Sequence, residues 1–176
     1  KGQNFALLQE AATILGFTNH TLVELFATLG DVSLLQQYAS SISGDLLQIG
    51  HHDYFTPYTT SAEHGHLPML HYLEKHYFKS SRADLIAFKG FVAYQVAASN
   101  GHVALLQYFE TQVPSSIVKM ISEQNFRAFK LAAFRSELAV IKHLTTIVPN
   151  LFNHMIEADN FYSYRANIRQ PHVRQW

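Results

Sequence analysis

Histidine is the residue in this chain whose number and spacing could do chemistry. There are 11 histidines, and an imidazole can bind a metal ion or transfer a proton near neutral pH. Two groups could be assembled into a ligand set, and they are His64, His66 and His71, and His51-His52-Asp53. Cysteine is absent, which excludes thiolate metal sites, disulfides and a cysteine nucleophile. The elements that position the histidines decide whether they form a site.

The short motifs of other active sites are missing. The sequence contains no HExxH, no phosphate-binding glycine-rich loop and no Gly-x-Ser-x-Gly. Its 13 Phe and nine Tyr fall mostly at positions that repeat along the chain, so we interpret them as packing residues rather than as a ligand box. We therefore predict that the chain is not an enzyme and binds neither a metal ion nor a cofactor.

The sequence repeats itself about every 35 residues. The recurring residues are a phenylalanine, an aromatic residue three positions later, an alanine seven positions later, and a glycine or serine ten positions later. They are Phe55, Phe91, Phe126 and Phe161; Tyr58, Tyr94, Phe129 and Tyr164; Ala62, Ala98 and Ala133; and Gly65, Gly101 and Ser136. Such a period indicates a solenoid, in which repeats bury their apolar faces by stacking. It favours an extended binding surface over a catalytic cleft.

Within a repeat, the apolar spacing predicts two helices joined by a tight turn. A degenerate first repeat lies at residues 20–38, so that Phe55, Phe91 and Phe126 mark the second, third and fourth repeats. In the third repeat, residues 91–98 place apolar and small side chains at the i, i+3, i+4 spacing of an amphipathic helix. Gly101 can adopt a positive φ and end that helix. Residues 103–109 then place their apolar side chains on one face of a second helix.

A helix–turn–helix of this length with the pattern Ala-Ala-x-x-Gly-His resembles the ankyrin repeat. The third repeat carries the pattern at residues 97–102, and the second carries Thr56-Pro57, Ser61-Ala62 and Gly65-His66. The resemblance covers residues 20–166 and implies an all-α, ankyrin-like helical solenoid of about four repeats. It also implies that His66 and His102, at the turn, bond the backbone of the next repeat, so we interpret them as structural.

The resemblance fails between repeats, where ankyrin proteins have a β-hairpin. Residues 113–121 and 148–156 stand there instead, and both begin with Val-Pro and end with Met-Ile. This pattern predicts a short third helix. The fourth repeat also replaces Gly-His with Ser136-Glu137, so its turn lacks an easy left-handed residue. Ankyrin-like repeats without hairpins are similar to those of secreted effectors from intracellular bacteria, which dock on host proteins.

The repeat array defines the predicted organisation of the chain. Residues 1–19 are interpreted as an N-terminal capping helix closed by Gly16, residues 20–160 as the repeat array, and residues 161–176 as the start of a further repeat or a C-terminal cap and tail. The sequence begins at Lys1 without Met or a signal-peptide pattern, so we interpret it as a piece of a longer protein.

Composition and charge limit the class of partner. Hydrophobic residues make up 48% and charged residues 15%, which permits a buried core, and the apolar stretches are too short to span a membrane. Residues 1–75 carry a net charge of −5 and residues 76–176 a net charge of +5, a polarity that could orient a partner. The basic density is too low for a nucleic-acid binder. We expect the chain to be a monomer in the cytosol. The alternative location is the cytosol of a host cell into which the protein is secreted.

The repeats can be compared with one another to find a binding surface. Positions that differ between repeats while remaining on a helix are predicted to be exposed, and in the ankyrin family the two positions after the alanine pair line the concave face. The predicted partner-binding residues are Glu63, His64, Gln95, Ser99, Asn100, Lys130, Phe134, Arg135 and Arg165. An exposed aromatic beside Arg is a good interface anchor. Alternatively, Phe134 packs over Ser136 and compensates for the lost glycine.

These observations predict a protein-protein interaction module that binds a partner protein on its concave face. The finer form of this prediction is a host protein bound by a bacterial effector. Two alternatives stay open, which are a substrate-recognition array of a larger enzyme and a structural spacer. A spacer should show no contiguous apolar or aromatic patch on its concave side.

Overall fold

The computed structural model describes residues 10–41 apart from residue 12, residues 55–76 and residues 81–158. Contacts divide the chain into two compact modules, residues 1–81 and residues 82–176. Regular structure in the described residues is helical, with no strand among them. The all-α prediction is confirmed. Of the predicted capping helix over residues 1–19, residues 10, 11, 13 and 14 are helical and Gly16 has φ +68°. Residues 1–9 and 12 lie outside the described residues, as does the whole tail over 161–176.

The N-terminal module holds the first two repeats in four helices. They are α1 (Asn19–Leu29), α2 (Val32–Ser41), α3 (Phe55–Glu63) and α4 (Leu67–His76). Thr18 caps α1 by accepting a hydrogen bond from the Thr21 amide at 3.2 Å, which pairs one of the amides that a helix start leaves open. Both repeats supply the module's core, which comprises Leu22, Val23, Phe26, Ala27, Leu35, Tyr38, Met69 and Leu73. The first repeat is therefore packed as a repeat, despite its degenerate sequence.

The C-terminal module holds the third and fourth repeats in five helices. They are α5 (Arg82–Ser99), α6 (Val103–Gln112), α7 (Ile117–Phe134), α8 (Leu138–Ile147) and α9 (Phe152–Ala158). Short 3-10 turns at Pro114–Ser116 and Pro149–Leu151 lead into α7 and α9. Proline suits these first turns, because its missing N–H would be unpaired there. The predicted third helix in place of a hairpin is confirmed at both positions.

Two of these helices contain a left-handed bend at the phenylalanine that marks each repeat. In α5 the φ angles are 45° at Lys89, 69° at Gly90 and 61° at Phe91, and α7 bends in the same way at residues 124–126. A left-handed residue with a Cβ costs roughly 1–2 kcal/mol. Gln95 stabilises the first bend, because its Nε2 donates to the Gly90 carbonyl oxygen at 2.6 Å. Each bend joins the third helix of one repeat to the first helix of the next.

The tight turns after the first helices share one hydrogen-bonding pattern. The amide of His102 bonds the Ala97 carbonyl at 3.0 Å, and the amide of Gly101 bonds the Ala98 carbonyl at 3.3 Å. This is the Schellman motif, which requires a left-handed residue. Gly101 has φ +79°, as predicted, and Ser136 keeps the same conformation at φ +64° without being glycine. The fourth repeat therefore retains the turn at a conformational cost.

Candidate protein-binding surface

Two of the predicted binding residues meet at the turns of the C-terminal module. Arg135 Nη1 donates to Asn100 Oδ1 at 2.5 Å, although the two residues are 35 positions apart. Beside them, the Glu137 side chain lies over Gly101, so closely that a Cβ on that glycine would clash with the Glu137 carboxylate. The turns of the third and fourth repeats are thus stacked. The pair Asn100 and Arg135 forms one continuous polar edge.

His66 plays the stacking role in the N-terminal module. Its Nε2 donates to the Thr28 carbonyl at 2.9 Å, and a Cβ on Gly30 would come within 2.6 Å of the His66 ring. The structural interpretation of His66 is confirmed, but its direction is corrected. His66 bonds the preceding repeat rather than the next one, because the residue after each turn folds back over the earlier glycine.

The other described histidines do not come together as a metal-binding site. His64 donates from Nδ1 to the Thr60 carbonyl of its own helix at 2.9 Å, and its ring stacks on that of His66 with centroids 6.0 Å apart. Within residues 10–41, 55–76 and 81–158, no group of three or more His, Cys, Asp or Glu could hold a metal ion. The set His51-His52-Asp53 lies outside the described residues.

The prediction that variable positions are exposed is wrong for two residues. Gln95 is only 2% exposed and Ser99 only 6%. Gln95 is turned inward because its amide bonds the bend at Gly90. Ser99 ends the helix α5 that packs against α7. Neither side chain presents a surface to a partner in this structure.

The equivalent residues of the fourth repeat are on the surface. Phe134 is 69% exposed. Arg135 is exposed beside it, and Lys130 is half-buried. In the N-terminal module Glu63 and His64 are exposed as well, and Arg165 lies outside the described residues. A binding role for any of these residues stays a prediction.

The comparison of repeats missed Leu138. This side chain is 41% exposed and follows Phe134 across the turn between α7 and α8. The equivalent residue of the third repeat, Val103, is half-buried. Because both residues are aliphatic, residue type alone carried no signal of exposure. Phe134 and Leu138 are thus exposed apolar side chains on either side of the polar turn residues 135–137.

A buried polar triad was also missed. Tyr94 Oη donates to Glu110 Oε1 at 2.7 Å, and His143 Nε2 donates to both carboxylate oxygens at 3.1 and 3.0 Å. Burial, the Glu110 charge and this hydrogen bond raise the pKa of Tyr94 far above its ordinary value. Glu110 is only 6% exposed, so its carboxylate is largely shielded from solvent. The triad links the third repeat to the fourth.

The sequence carried a signal of this triad. Tyr58 Oη donates to Glu74 Oε1 at 2.9 Å, and both tyrosine–glutamate pairs are separated by 16 residues. In the fourth repeat the tyrosine becomes Phe129 and the residue in place of the glutamate is Thr145. The two partners are therefore present together or absent together, as expected for a buried hydrogen bond whose partners depend on each other.

Comparison with known proteins agrees with this architecture. No protein-family model matches the sequence, and no curated protein matches it. A solved structure of an ankyrin repeat family protein from Legionella pneumophila is similar, with a TM-score of 0.67 and 24% sequence identity. The similarity covers 81% of this chain and 41% of that chain, so this chain spans less than half of that protein's length. With helices where hairpins would stand, the chain has a divergent ankyrin-repeat fold.

Proposed function

We propose that this chain is a protein-interaction module whose binding surface includes the turn between α7 and α8. The observation that carries the proposal is Phe134, an aromatic side chain 69% exposed on a rigid turn. Arg135 lies beside it with its guanidinium fixed on Asn100, and Leu138 is a second exposed apolar side chain, after the turn. Aromatic residues and arginine dominate binding energy in protein interfaces. A fixed surface also lowers the ordering cost of association.

The finer form of the proposal is that the partner binds a concave face, which in the C-terminal module includes Asn100 and Arg135; Glu63 and His64 are the proposed contacts of the N-terminal module. The exposure of Glu63, His64 and Arg135 supports it, as does the bond between Asn100 and Arg135. An effector that meets a host protein in the cytosol fits the likeness to the Legionella pneumophila protein. We infer no catalytic role, since the clustered Tyr94, Glu110 and His143 serve packing between repeats.

A paired substitution tests this function. The immobilised wild-type chain should capture one or more proteins from a eukaryotic cell lysate, and the double variant Phe134→Ala, Arg135→Glu should lose them. Truncating an interface anchor typically costs about 2 kcal/mol or more. Val118→Ala is the matched control, since Val118 is also an exposed apolar residue of α7. Both variants must melt at the wild-type temperature.

Two outcomes would reject the proposal. A double variant that captures the same proteins as the wild type would show that the turn is not the anchor. A wild-type chain that captures no more than a control resin would favour a structural spacer. If the wild type captures proteins and the double variant does not, the binding surface is supported. The captured protein could then also be the substrate of a larger enzyme that contains this array.

A further inference from the structure

The first helices of the third and fourth repeats differ in burial along one stripe. Three residues of α7 at helical spacings of three and four lie on one face. These residues, which we call the α7 stripe, are Arg127, Lys130 and Phe134. Arg127 and Phe134 are exposed and Lys130 is half-buried, whereas the equivalents Val92, Gln95 and Ser99 are half-buried or buried.

Packing explains the direction of the stripe. α5 and α7 lie against each other, and the repeats are equivalent in sequence and backbone. The stripe of α5 therefore faces α7, and the α7 stripe faces away from α5, towards the place of a following helix. The third helices show the same trend, since Phe152 is exposed where Ile117 is half-buried. The face of α5 that corresponds to the α7 stripe is thus already packed against a helix, which is α7.

The chemistry of the stripe has changed between the two repeats. Arg127 and Lys130 replace the neutral Val92 and Gln95, and neither cation forms an ion pair with any described residue. Arg127 Nη1 donates to Gln124 Oε1 at 2.9 Å, which leaves most of its donors unused. If the stripe were only a solvent-facing end of the array, we would expect it to carry more charged residues and less apolar surface than the same face of an inner repeat. Here the position of the small Ser99 is occupied by the large exposed Phe134 instead.

We propose that the α7 stripe is a docking site for an acidic amphipathic helix of the partner protein. This inference rests on the proposed function and names the kind of partner. A helix fits because the same face of α5 seats one. Carboxylates fit Arg127 and Lys130, and an apolar side chain fits Phe134. Arg127 and Phe134 are seven residues apart, which is about 10 Å along the axis, so about two turns of the partner suffice.

Charge complementarity distinguishes this occupant from residues 159–176. Residues 159–176 contain one acidic residue, Asp159, and three arginines. That segment carries the same sign as the stripe and would add repulsion between like charges. An acidic helix of another protein would instead neutralise Arg127 and Lys130 while covering Phe134.

The test uses the full chain and a synthetic probe. The probe is a labelled 18-residue helical peptide with leucines along one face and glutamates beside them, and its control has lysine at each glutamate. Fluorescence anisotropy should show the acidic peptide binding at least about tenfold more tightly than the basic one. Lys130→Glu and Phe134→Ala should each weaken binding by about tenfold, on the scale of an interface anchor. Lys75→Glu, an exposed charge reversal on α4, should leave binding unchanged.

Each other outcome would overturn the inference. These outcomes are equal binding of the two peptides, no binding of either, equal loss in Lys75→Glu, and tighter binding of a single-stranded oligonucleotide. A chain shortened to residue 158 that binds the acidic peptide more than tenfold better would identify residues 159–176 as the occupant. Concentration-dependent dimerisation lost in Lys130→Glu would identify a second copy. If Phe134→Ala, Arg135→Glu abolishes lysate capture while Lys130→Glu leaves peptide binding unchanged, the proposed function stands and the helix is rejected.

Discussion

The third and fourth repeats share a backbone conformation but place different residues at its turn and in its core. Both end their first helix in a Schellman turn and begin it at a left-handed bend. The third repeat places Gly101 in its turn and ties Tyr94 to Glu110 in its interior. The fourth places Ser136 in its turn and has Phe129 and Thr145 in place of the buried pair. Stacking of the repeats therefore fixes the backbone conformation and the volume of the core side chains. The buried hydrogen-bonding residues can change between repeats, but they change together.

The largest expected effect is at the alanine pair, where the two repeats should differ in degree. Ala98 and Ala133 are both buried, and a larger side chain in such a core costs about 1–3 kcal/mol. We expect Ala98→Leu to reach about 3 kcal/mol and Ala133→Leu less, since Ala98 is fully buried whereas Ala133 keeps 5% exposure. Urea denaturation of both variants measures this difference. An equal loss, or none, would show that the register of the repeats is wrong.

Converting the third repeat to the fourth tests whether the buried pair acts as a set. Tyr94→Phe and Glu110→Thr should each cost about 1–3 kcal/mol, because Tyr94→Phe removes one donor to the buried Glu110 carboxylate and Glu110→Thr removes the acceptor of both Tyr94 and His143. The double variant should cost less than the sum of the two, with a coupling energy of about 1 kcal/mol. His143 then still lacks its acceptor, so the cost does not vanish. Strictly additive losses would contradict the coupling.

Alkaline pH should affect the third repeat through Tyr94. Its pKa is raised in the folded chain, by burial first and then by Glu110, so the folded state keeps the proton that the unfolded state loses. The stability contribution is complete below about pH 10, the ordinary value for tyrosine, and falls by up to about 1.4 kcal/mol per pH unit above it. Tyr94→Phe should flatten the pH dependence of unfolding measured between pH 9 and 11. An unchanged slope would reject this assignment.

The smallest expected effect is at the turn of the fourth repeat. Ser136 has φ +64°, and glycine enters this conformation without the steric cost of a Cβ. We expect Ser136→Gly to raise the free energy of unfolding by about 0.5–1 kcal/mol, after the entropic cost of glycine in the unfolded chain. Thermal melts of Ser136→Gly and Ser136→Ala report it. Equal melting temperatures for these two variants would show that the turn is not strained.

Sequence reasoning recovered the helices because their signals are local. Val-Pro starts, alanine pairs and the glycine at 101 each act within a turn of helix. The bend at residues 124–126 had a weaker signal, since Gln124, Asn125 and Phe126 include no glycine and only Asn125 is of a type that enters the left-handed region readily. The burial of Gln95 was missed for another reason. Variation between repeats can reflect a change of neighbour as well as exposure to solvent.

Ser136 also bears on the order in which repeats can follow one another. Glu137 lies over Gly101 and His66 lies over Gly30, in each case within 3 Å of where a Cβ would stand. Ser136 has that Cβ. Another repeat with a long side chain after its turn could not close over Ser136 in the same way without a shift. A glycine in the turn thus leaves room for the side chain of the following repeat to pack over it. If the order of the repeats were changed, the array should tolerate the fourth repeat at its end far better than in its middle.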